Sequence, residues 1–291
     1  MLQTHKQQSL VTPRLIDCIC NYKDKPNLGF RNHYDTLNHP HILNLQYNRT
    51  MTKNTFNRPD GRKFNELRNI IFTPDYVLYP EGSVLVTWGE TRVLCNLTIQ
   101  EGVPGWMAGK GRGWITAEYA LLPRSTQTRT PRETRGLKGR TQEIRRLIGR
   151  SLRKAVNLEK IGERTLLLDC DVIQADGGTR VASVTGGYLA LALGLNPLIQ
   201  SGIIPPDALS SHIAAVSVGM IQGHSILDLN YEEDSQADVD LNIVMTSESR
   251  FVEIQGTAEG KPFSKDDLDQ MLALAEGGIH QIITLQKQLL M

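Results

Sequence analysis

The 291-residue chain has few of the features that mark secreted, membrane or thiol-dependent proteins. Its four cysteines (Cys18, Cys20, Cys95 and Cys170) show no CxxC or zinc-ligand spacing, so we expect reduced thiols. No apolar run approaches the roughly 18 residues needed to span a bilayer, and the N-terminus lacks the apolar core of a secretory signal. These absences predict a cytoplasmic protein without a membrane partner.

Common catalytic and nucleotide-binding motifs are absent too. There is no GxxxxGK[ST] loop, no GxGxxG turn, and no Ser-His-Asp or Cys-His signature. The later histidines, His212, His224 and His280, have no spacing that suggests a catalytic pair. If the chain is an enzyme, its nucleophile is therefore expected to come from the substrates.

What the sequence does have is an uneven distribution of charge. The net charge is only +1, yet residues 124–154 hold eleven Lys and Arg against two acids. Residues 228–240 hold six acids and no base. A basic stretch suits a phosphate-rich polymer, and a separate acidic cluster suits a divalent cation. This division of charge predicts chemistry on a nucleic-acid backbone.

Residues 1–56 differ in composition from the rest of the chain. They hold four of the seven histidines and show no sustained helical or strand period. Three interpretations compete: a disordered extension, an organelle transit peptide, or translated upstream sequence with Met51 as the true start. Ser9 is the only serine before Met51, which disfavours a transit peptide. We expect a dispensable extension or misassigned start, followed by a single domain over residues 57–291.

From residue 57 onward, strands and helices occur in blocks. Apolar, β-rich runs predict strands over 84–88, 92–98, 114–120, 165–173, 213–221, 225–230, 239–245 and 251–256. Apolar residues spaced by three and four predict helices over 141–158, 179–195, 264–276 and 278–290. This order predicts an α+β or mixed α/β fold with two similar halves.

Two of the predicted helices begin with glycine, threonine and arginine, in GRT (139–141) and GGTR (177–180). Glycine lets the backbone approach an anion, and the free N–H groups of a first helical turn point at it. Each arginine can fork onto two phosphate oxygens. The two helix starts could converge on one phosphate ion, although tight turns with surface arginines remain the alternative.

The acidic cluster offers a candidate metal site. Asp228 ends a β-rich run and Asp234 follows six residues later in LNYEEDS. A turn between them would bring both carboxylates to one point, as Mg²⁺ needs when it is held by one or two protein oxygens plus phosphate. Asp238 and Asp240 share a face if a strand begins at 239, and could add ligands or support them. Surface acids in a turn are the alternative.

Residues 123–139 have no apolar periodicity and are predicted to form a loop or arm across the surface. Arg124, Arg129 and Arg132 recur along it, a pattern suited to contacts with successive phosphates of a nucleic acid. A disordered charged loop is the alternative. The arginines that follow, in the helix predicted over 141–158, are expected to form a solvated face or a subunit contact.

Seven motifs give the sequence a specific resemblance. They are RPDGR (58–62), PEGSVLV (80–86), GWITAEYALLPR (113–124), GRTQEIRRLIGRSLR (139–153), DCDVIQADGGTR (169–180), DLNYEEDS (228–235) and EIQGTAEG (253–260). Together they resemble the bacterial ribonuclease PH family of phosphorolytic 3′-exoribonucleases, from about Arg58 to the C-terminus. Residues 1–50 lie outside the resemblance, which favours Met51 as the start.

The resemblance implies an activity and an assembly. The family trims the 3′ end of precursor tRNA and other RNA, uses inorganic phosphate as co-substrate, releases nucleoside diphosphates and can add nucleotides in reverse. Its fold has two βαβα-like halves, similar to ribosomal protein S5 domain 2, and it assembles as a homohexamer, a trimer of dimers. A metal-dependent hydrolytic nuclease and a catalytically inert RNA-binding ring subunit are the competing hypotheses.

The resemblance also implies roles for individual residues. The phosphate ligands would be Arg140, Gly178, Thr179 and Arg180. The Mg²⁺ ligands would be Asp228 and Asp234, which with Arg140 and Arg180 form the expected catalytic set. The residues that guide the tRNA acceptor end would be Arg124, Arg129 and Arg132. Arg58 is a weaker, structural candidate.

Overall fold

Residues 56–291 are described by the computed structural model. The predicted start at Met51 and almost all of the predicted extension lie outside the described residues, as do Cys18 and Cys20. Within the described part, nine strands form two sheets and four α-helices accompany them. The order of these elements confirms the predicted α+β fold in two halves.

The first half consists of a five-stranded sheet and two helices. Its strands are β1 (Ile70–Pro74), β2 (Gly82–Trp88), β3 (Thr91–Glu101), β4 (Trp114–Leu121) and β5 (Arg164–Gln174), in the order β1-β2-β3-β5-β4. β4 pairs parallel to β5, and the other neighbours pair antiparallel. α1 (Gly139–Leu152) joins β4 to β5, and α2 (Thr179–Gln200) follows β5. The helix predicted over 141–158 is therefore shorter, and the short edge strand β1 was not predicted.

The second half consists of a four-stranded antiparallel sheet and two helices. Its strands are β6 (Ile213–Ile221), β7 (His224–Leu227), β8 (Val239–Thr246) and β9 (Phe251–Ala258), in the order β7-β6-β8-β9. α3 (Tyr231–Asp234) is a single turn between β7 and β8, and α4 (Lys265–Leu290) ends the chain. The strand predicted over 225–230 stops early because Asp228 takes a positive φ of 55°.

The two C-terminal helices predicted over 264–276 and 278–290 are one continuous helix. Gly277 and Gly278 lie inside α4 and do not break it. A Cβ added at Gly278 would lie 2.9 Å from Leu227 Cδ1, so the glycine allows α4 to pack closely against β7. Ser264 caps the helix by accepting from the backbone N–H of Asp267.

The core is built around α2, which contacts β2 and β3 of the first sheet and β6 of the second. Its apolar residues cover nearly its whole circumference, which is typical of a buried helix. By length and composition alone, α2 is long and apolar enough to cross a membrane. However, 72% of its most apolar 18-residue stretch is buried inside the protein, so α2 is the central helix of the core.

Candidate active site

A cleft of about 370 Å³ lies where the two halves meet. Its walls come from β4 and the loop after it, the first turns of α1 and α2, the short helix α3, and strands β6 and β8. These elements bring together five polar residues from three separate stretches of the sequence: Arg140, Thr179, Arg180, Asp234 and Asp240. The cleft therefore combines the predicted phosphate site with part of the predicted metal site.

The turn between β5 and α2 forms one wall of the cleft. Gly177 and Gly178 have φ values of +75° and +67°, which favour glycine. A Cβ on Gly177 would lie 2.7 Å from the carbonyl oxygen of Leu229, so no larger residue fits. Gly178 is the N-cap of α2, and no side chain caps this helix. Its first-turn N–H groups are therefore available to an anion, as predicted.

Arg140 and Arg180 approach the cleft from different helices. Arg140 is the second residue of α1 and is exposed, while Arg180 is the second residue of α2 and is mostly buried. Arg180 donates to Gln255 Oε1 at 3.0 Å and lies 3.5 Å from a carboxylate oxygen of Glu143. Among residues 56–291, Arg140 forms no ion pair. Both predicted arginines thus line one cleft, with Arg140 unpaired there and Arg180 held in place.

Thr179 contacts a residue that the sequence analysis missed. Its hydroxyl shares a hydrogen bond of 2.9 Å with the phenol of Tyr119, on β4. Burial raises the pKa of Tyr119. This effect is larger than the opposing effects of the Thr179 hydrogen bond and the Arg140 charge, so the phenol stays neutral. Alternation along β4 indicates that Tyr119 faces inward, but nothing in the sequence identifies Thr179 as its partner.

Two carboxylates face the arginines across the cleft. Asp234 ends α3, and Asp240 lies on β8, where Asn242 donates to its Oδ2 at 3.2 Å. Burial raises the pKa of Asp240 to about 6; the charge of Asp234 adds to this rise, and that of Arg180 opposes it. Burial also raises the pKa of Asp234, although the charges of Arg180 and Arg140 partly offset it. A cation between these carboxylates would stabilise both charged forms.

Asp228 does not lie in the cleft, which corrects its predicted role as a catalytic metal ligand. Its side chain is fully buried and accepts from the backbone N–H of Arg68 at 2.7 Å, from the Arg68 guanidinium at 2.7 Å and from Trp88 Nε1 at 2.9 Å. Burial would raise its pKa, but the charge and hydrogen bonds of Arg68 hold it below the usual range. With its oxygens satisfied inside the protein, Asp228 has no position from which to bind a metal ion with Asp234.

Asp234 and Asp240 are the two carboxylates of the cleft that could hold a metal ion. Within residues 56–291, no group of three or more Asp, Glu, His or Cys side chains could hold a metal ion. Mg²⁺ usually needs fewer protein ligands, because substrate phosphates and waters complete its six oxygen ligands. Two neighbouring carboxylates whose pKa values are raised fit that requirement. The sequence predicts Asp240 only as an additional or supporting ligand.

The segment between β4 and α1 contains no helix or strand, as predicted. Backbone hydrogen bonds nevertheless hold it, including Ala175 N–H to Ser125 O at 2.7 Å and Thr130 N–H to Pro123 O at 2.8 Å. Thr126, Gln127, Thr128 and Thr130 from this segment line the cleft.

The three arginines of this segment are exposed and do not line the cleft themselves. Arg132 lines an adjoining cleft of about 550 Å³, which shares Arg140 and Tyr119 with the first. Arg124 and Arg129 are exposed on the same segment and line neither cleft. The structure thus separates an inner pair of arginines at the cleft from an outer set beside it.

Comparison with known proteins gives matches over most of the described chain. The model of the 3′ exoribonuclease family matches with domain 1 over residues 66–194 and with domain 2 over residues 212–278. Ribonuclease PH of Bacillus velezensis is 55% identical over 236 residues, which is 80% of this chain and 96% of the relative. Ribonuclease PH of Bacillus subtilis is 54% identical over 236 residues, again 80% of this chain and 96% of the relative.

Solved structures confirm the fold at lower identity. Rice Rrp46 matches with a TM-score of 0.67 and 20% identity, over 80% of this chain and 99% of that one. A chain of the Archaeoglobus fulgidus exosome with RNA bound to the active site matches with a TM-score of 0.67 and 23% identity, over 78% and 92%. From both domain matches and the relatives above half identity, it follows that the chain belongs to the 3′ exoribonuclease family.

Proposed function

We propose that the chain is a phosphorolytic 3′-to-5′ exoribonuclease that trims the 3′ end of precursor tRNA and other RNA. The observation that carries the proposal is the convergence of Arg140 and Arg180 with the uncapped start of α2 in one cleft. Guanidinium groups and helix N-terminal N–H groups are both phosphate ligands. The resemblance to proteins named Ribonuclease PH supports the same activity.

In the proposed reaction, an oxygen of hydrogenphosphate attacks the phosphorus of the last phosphodiester. The bond from that phosphorus to the 3′ oxygen of the preceding nucleotide breaks, and a nucleoside 5′-diphosphate leaves. The proton of hydrogenphosphate ends on the freed 3′ oxygen, so protons and charges balance. The same steps in reverse add a nucleotide from a diphosphate.

The arginines make this approach of two anions possible. Arg140 and Arg180 offset the repulsion between the free phosphate and the RNA phosphate, and Thr179 and Gly178 fix the orientation of the free ion. Because phosphoryl transfer needs little covalent help from a protein, positioning and electrostatic stabilisation supply most of the rate gain. Arg180 is already immobilised by Gln255, which reduces the entropy lost when the phosphate binds.

Asp234 and Asp240 are the proposed Mg²⁺ ligands. When bound, Mg²⁺ would stabilise negative charge on the oxygens of the transferring group. The chain's own part is to hold the two carboxylates on α3 and β8, with Asn242 orienting one of them. Asp240 takes the place expected for Asp228, because the oxygens of Asp228 already accept from Arg68 and Trp88.

The outer arginines give the proposed RNA contact. Arg124, Arg129 and Arg132 are exposed beside the cleft and would hold phosphates of the tRNA acceptor end. The resemblance to the family completes the proposal with a homohexamer, a trimer of dimers, that works in the cytoplasm.

One assay tests the activity. Purified protein is incubated with a tRNA bearing a short 3′ tail and Mg²⁺, with and without inorganic phosphate, and the released nucleotides are separated. Nucleoside diphosphates that form only with phosphate would support phosphorolysis. Monophosphates that form without phosphate would show a hydrolytic nuclease, and absence of cleavage would show an inert RNA-binding subunit.

A further inference from the structure

We propose that a buried ion-pair network of Arg58, Arg68, Asp228 and Glu233 positions the two sides of the active cleft relative to each other. One arm of this network holds the glycine turn before α2, and the other holds α3, which carries Asp234. The four residues are positioning residues, because their side chains do not line the cleft. The inference rests on the proposed function, since it assigns phosphate and metal to these two sides.

The first arm runs from Asp228 to the glycine turn through Arg68. The Arg68 guanidinium donates to both oxygens of Asp228, with the shortest bond at 2.7 Å, and its Nη1 donates to the carbonyl oxygen of Asp176. Asp176 directly precedes the two glycines. Thr91 fixes the same turn, because its hydroxyl donates to Gly177 O at 2.7 Å and accepts from Asp176 N–H at 2.9 Å. The turn is thus held by one buried arginine and one buried threonine.

The second arm runs from Arg58 to α3. The Arg58 side chain is fully buried and forms a bidentate pair with Glu233, at 2.7 Å from Nε and 2.8 Å from Nη2. Glu233 also accepts from Asn230 N–H at 3.0 Å, and Asn230 in turn caps α3. A helix of one turn has little stability of its own, so these bonds determine where it lies. Asp234 is the next residue after Glu233.

The two arms meet at Asp228. Its carboxylate accepts from Arg68, and its carbonyl oxygen accepts from Arg58 Nη2 at 2.9 Å. Arg58 also donates to Leu227 O at 3.0 Å, so it fixes the end of β7 from which α3 departs. In addition, Tyr231 N–H donates to Asp176 Oδ1 at 3.3 Å, which links the two sides directly. Each side of the cleft is therefore held to Asp228 by its own directional bonds, so one set can be disturbed while the other remains.

Burying four charged groups is a costly way to stabilise a fold. Apolar residues of similar volume often give equal or greater stability, whereas paired charges give directional bonds. Directional bonds have a use here, since a misplacement of about 1 Å can reduce the rate of an enzyme by about a hundredfold. The network also gives the RPDGR motif a role: its first residue, Arg58, contacts Glu233 of α3, which is 175 residues away in sequence.

Direct binding measurements on the full chain separate the two arms. Isothermal titration calorimetry is performed with inorganic phosphate and, separately, with Mn²⁺ as a substitute for Mg²⁺. Thr91→Val and Asp228→Asn disturb the first arm, and we expect about tenfold weaker phosphate binding with Mn²⁺ affinity within about twofold. Glu233→Gln and Arg58→Lys disturb the second arm, and we expect the reverse pattern: about tenfold weaker Mn²⁺ binding with phosphate affinity retained.

Gln286→Ala is the matched control. Gln286 is fully buried and donates to Thr185 O and Ile213 O, far along the chain from the network, so its loss should lower the melting temperature without changing either affinity. Thr91→Val and Glu233→Gln keep the volume of their sites and protect the test against unfolding of the charged variants.

Two results would overturn the proposal. The network would be merely structural if the variants of each arm lost phosphate and Mn²⁺ affinity equally and melted at the same temperature as Gln286→Ala. Loss of Mn²⁺ binding in Asp228→Asn, with normal phosphate binding in Thr91→Val, would show that Asp228 is itself a metal ligand. A wild-type chain that binds no phosphate would refute the proposed function instead, and the Mn²⁺ comparison would still decide the second arm.

Discussion

Replacing Asp240 by asparagine should stabilise the metal-free protein at neutral pH while weakening its metal site. Burial and the charge of Asp234 raise the pKa of Asp240 from 3.8 to about 6, so the folded chain resists ionisation of this group. An unfolded chain ionises it near pH 4. Between these two pKa values the folded state binds more protons than the unfolded state, so the free energy of unfolding falls as pH rises.

The magnitude follows from the shift. Each pKa unit corresponds to about 1.4 kcal/mol, so a shift of about two units costs roughly 3 kcal/mol once the pH exceeds 6. Of this cost, about 2 kcal/mol should appear between pH 4.5 and pH 7.5. Asp240→Asn removes the ionisation but retains an oxygen that can accept from Asn242. Relative to the wild type, the free energy of unfolding of the variant should therefore increase by up to about 2 kcal/mol across that pH interval.

Urea denaturation with a metal chelator present, at pH 4.5, 6.0 and 7.5, measures the effect. A stability difference that is independent of pH, or a variant that loses stability relative to the wild type as pH rises, would refute the reasoning. Asp238→Asn is the control for the metal site, because it removes a carboxylate two residues away that does not line the cleft. Mn²⁺ should stabilise the wild type and Asp238→Asn, and should stabilise Asp240→Asn far less.

Three further predictions concern the phosphate and RNA sites. Arg140→Ala and Arg180→Ala should each raise the KM for phosphate by about ten- to a hundredfold, since a charge-assisted hydrogen bond contributes about 1.5–3 kcal/mol. Binding of tRNA in a filter assay should stay nearly unchanged, and an equal loss of phosphate and tRNA binding would contradict the phosphate role. Gly177→Ala should abolish phosphate binding in calorimetry, because its Cβ would lie 2.7 Å from backbone atoms of Leu229 and Asn230; a normal affinity would show that this turn can move. Arg129→Ala should lower the slope of log affinity for tRNA against log salt by about one, and an unchanged slope would remove Arg129 from the RNA contact.

Much of the fold could be predicted from the sequence because its strongest patterns are local. Alternation along β3 and β4 and the apolar run of β5 gave these strands within a few residues. The failures occurred where tertiary contacts override local signals. Gly277 and Gly278 suggested a helix break, but the approach of α4 to Leu227 requires a small residue inside a continuous helix.

The candidate site was predictable only in part, for a different reason. Arg140 and Arg180 were singled out because each stands with glycine and threonine at a helix start, a local signal. Choosing among Asp228, Asp234 and Asp240 requires knowledge of what each carboxylate faces. Spacing favoured Asp228, and only the fold shows that Arg68 and Trp88, 160 and 140 residues away in sequence, already occupy its oxygens.

The mixture of charges in the cleft links its two proposed ligands. Two arginines and two aspartates line it, and their formal charges cancel. A phosphate dianion beside an RNA phosphate would then add three negative charges to a site with no surplus of positive charge, and a divalent cation would offset two of them. Each ligand should therefore bind more tightly when the other is present, and thermodynamic linkage requires the two enhancement factors to be equal. Burial and the charge of Asp234 raise the pKa of Asp240, so its charged form is unfavourable in the cleft; a bound cation would stabilise that form and, through its own charge, the phosphate.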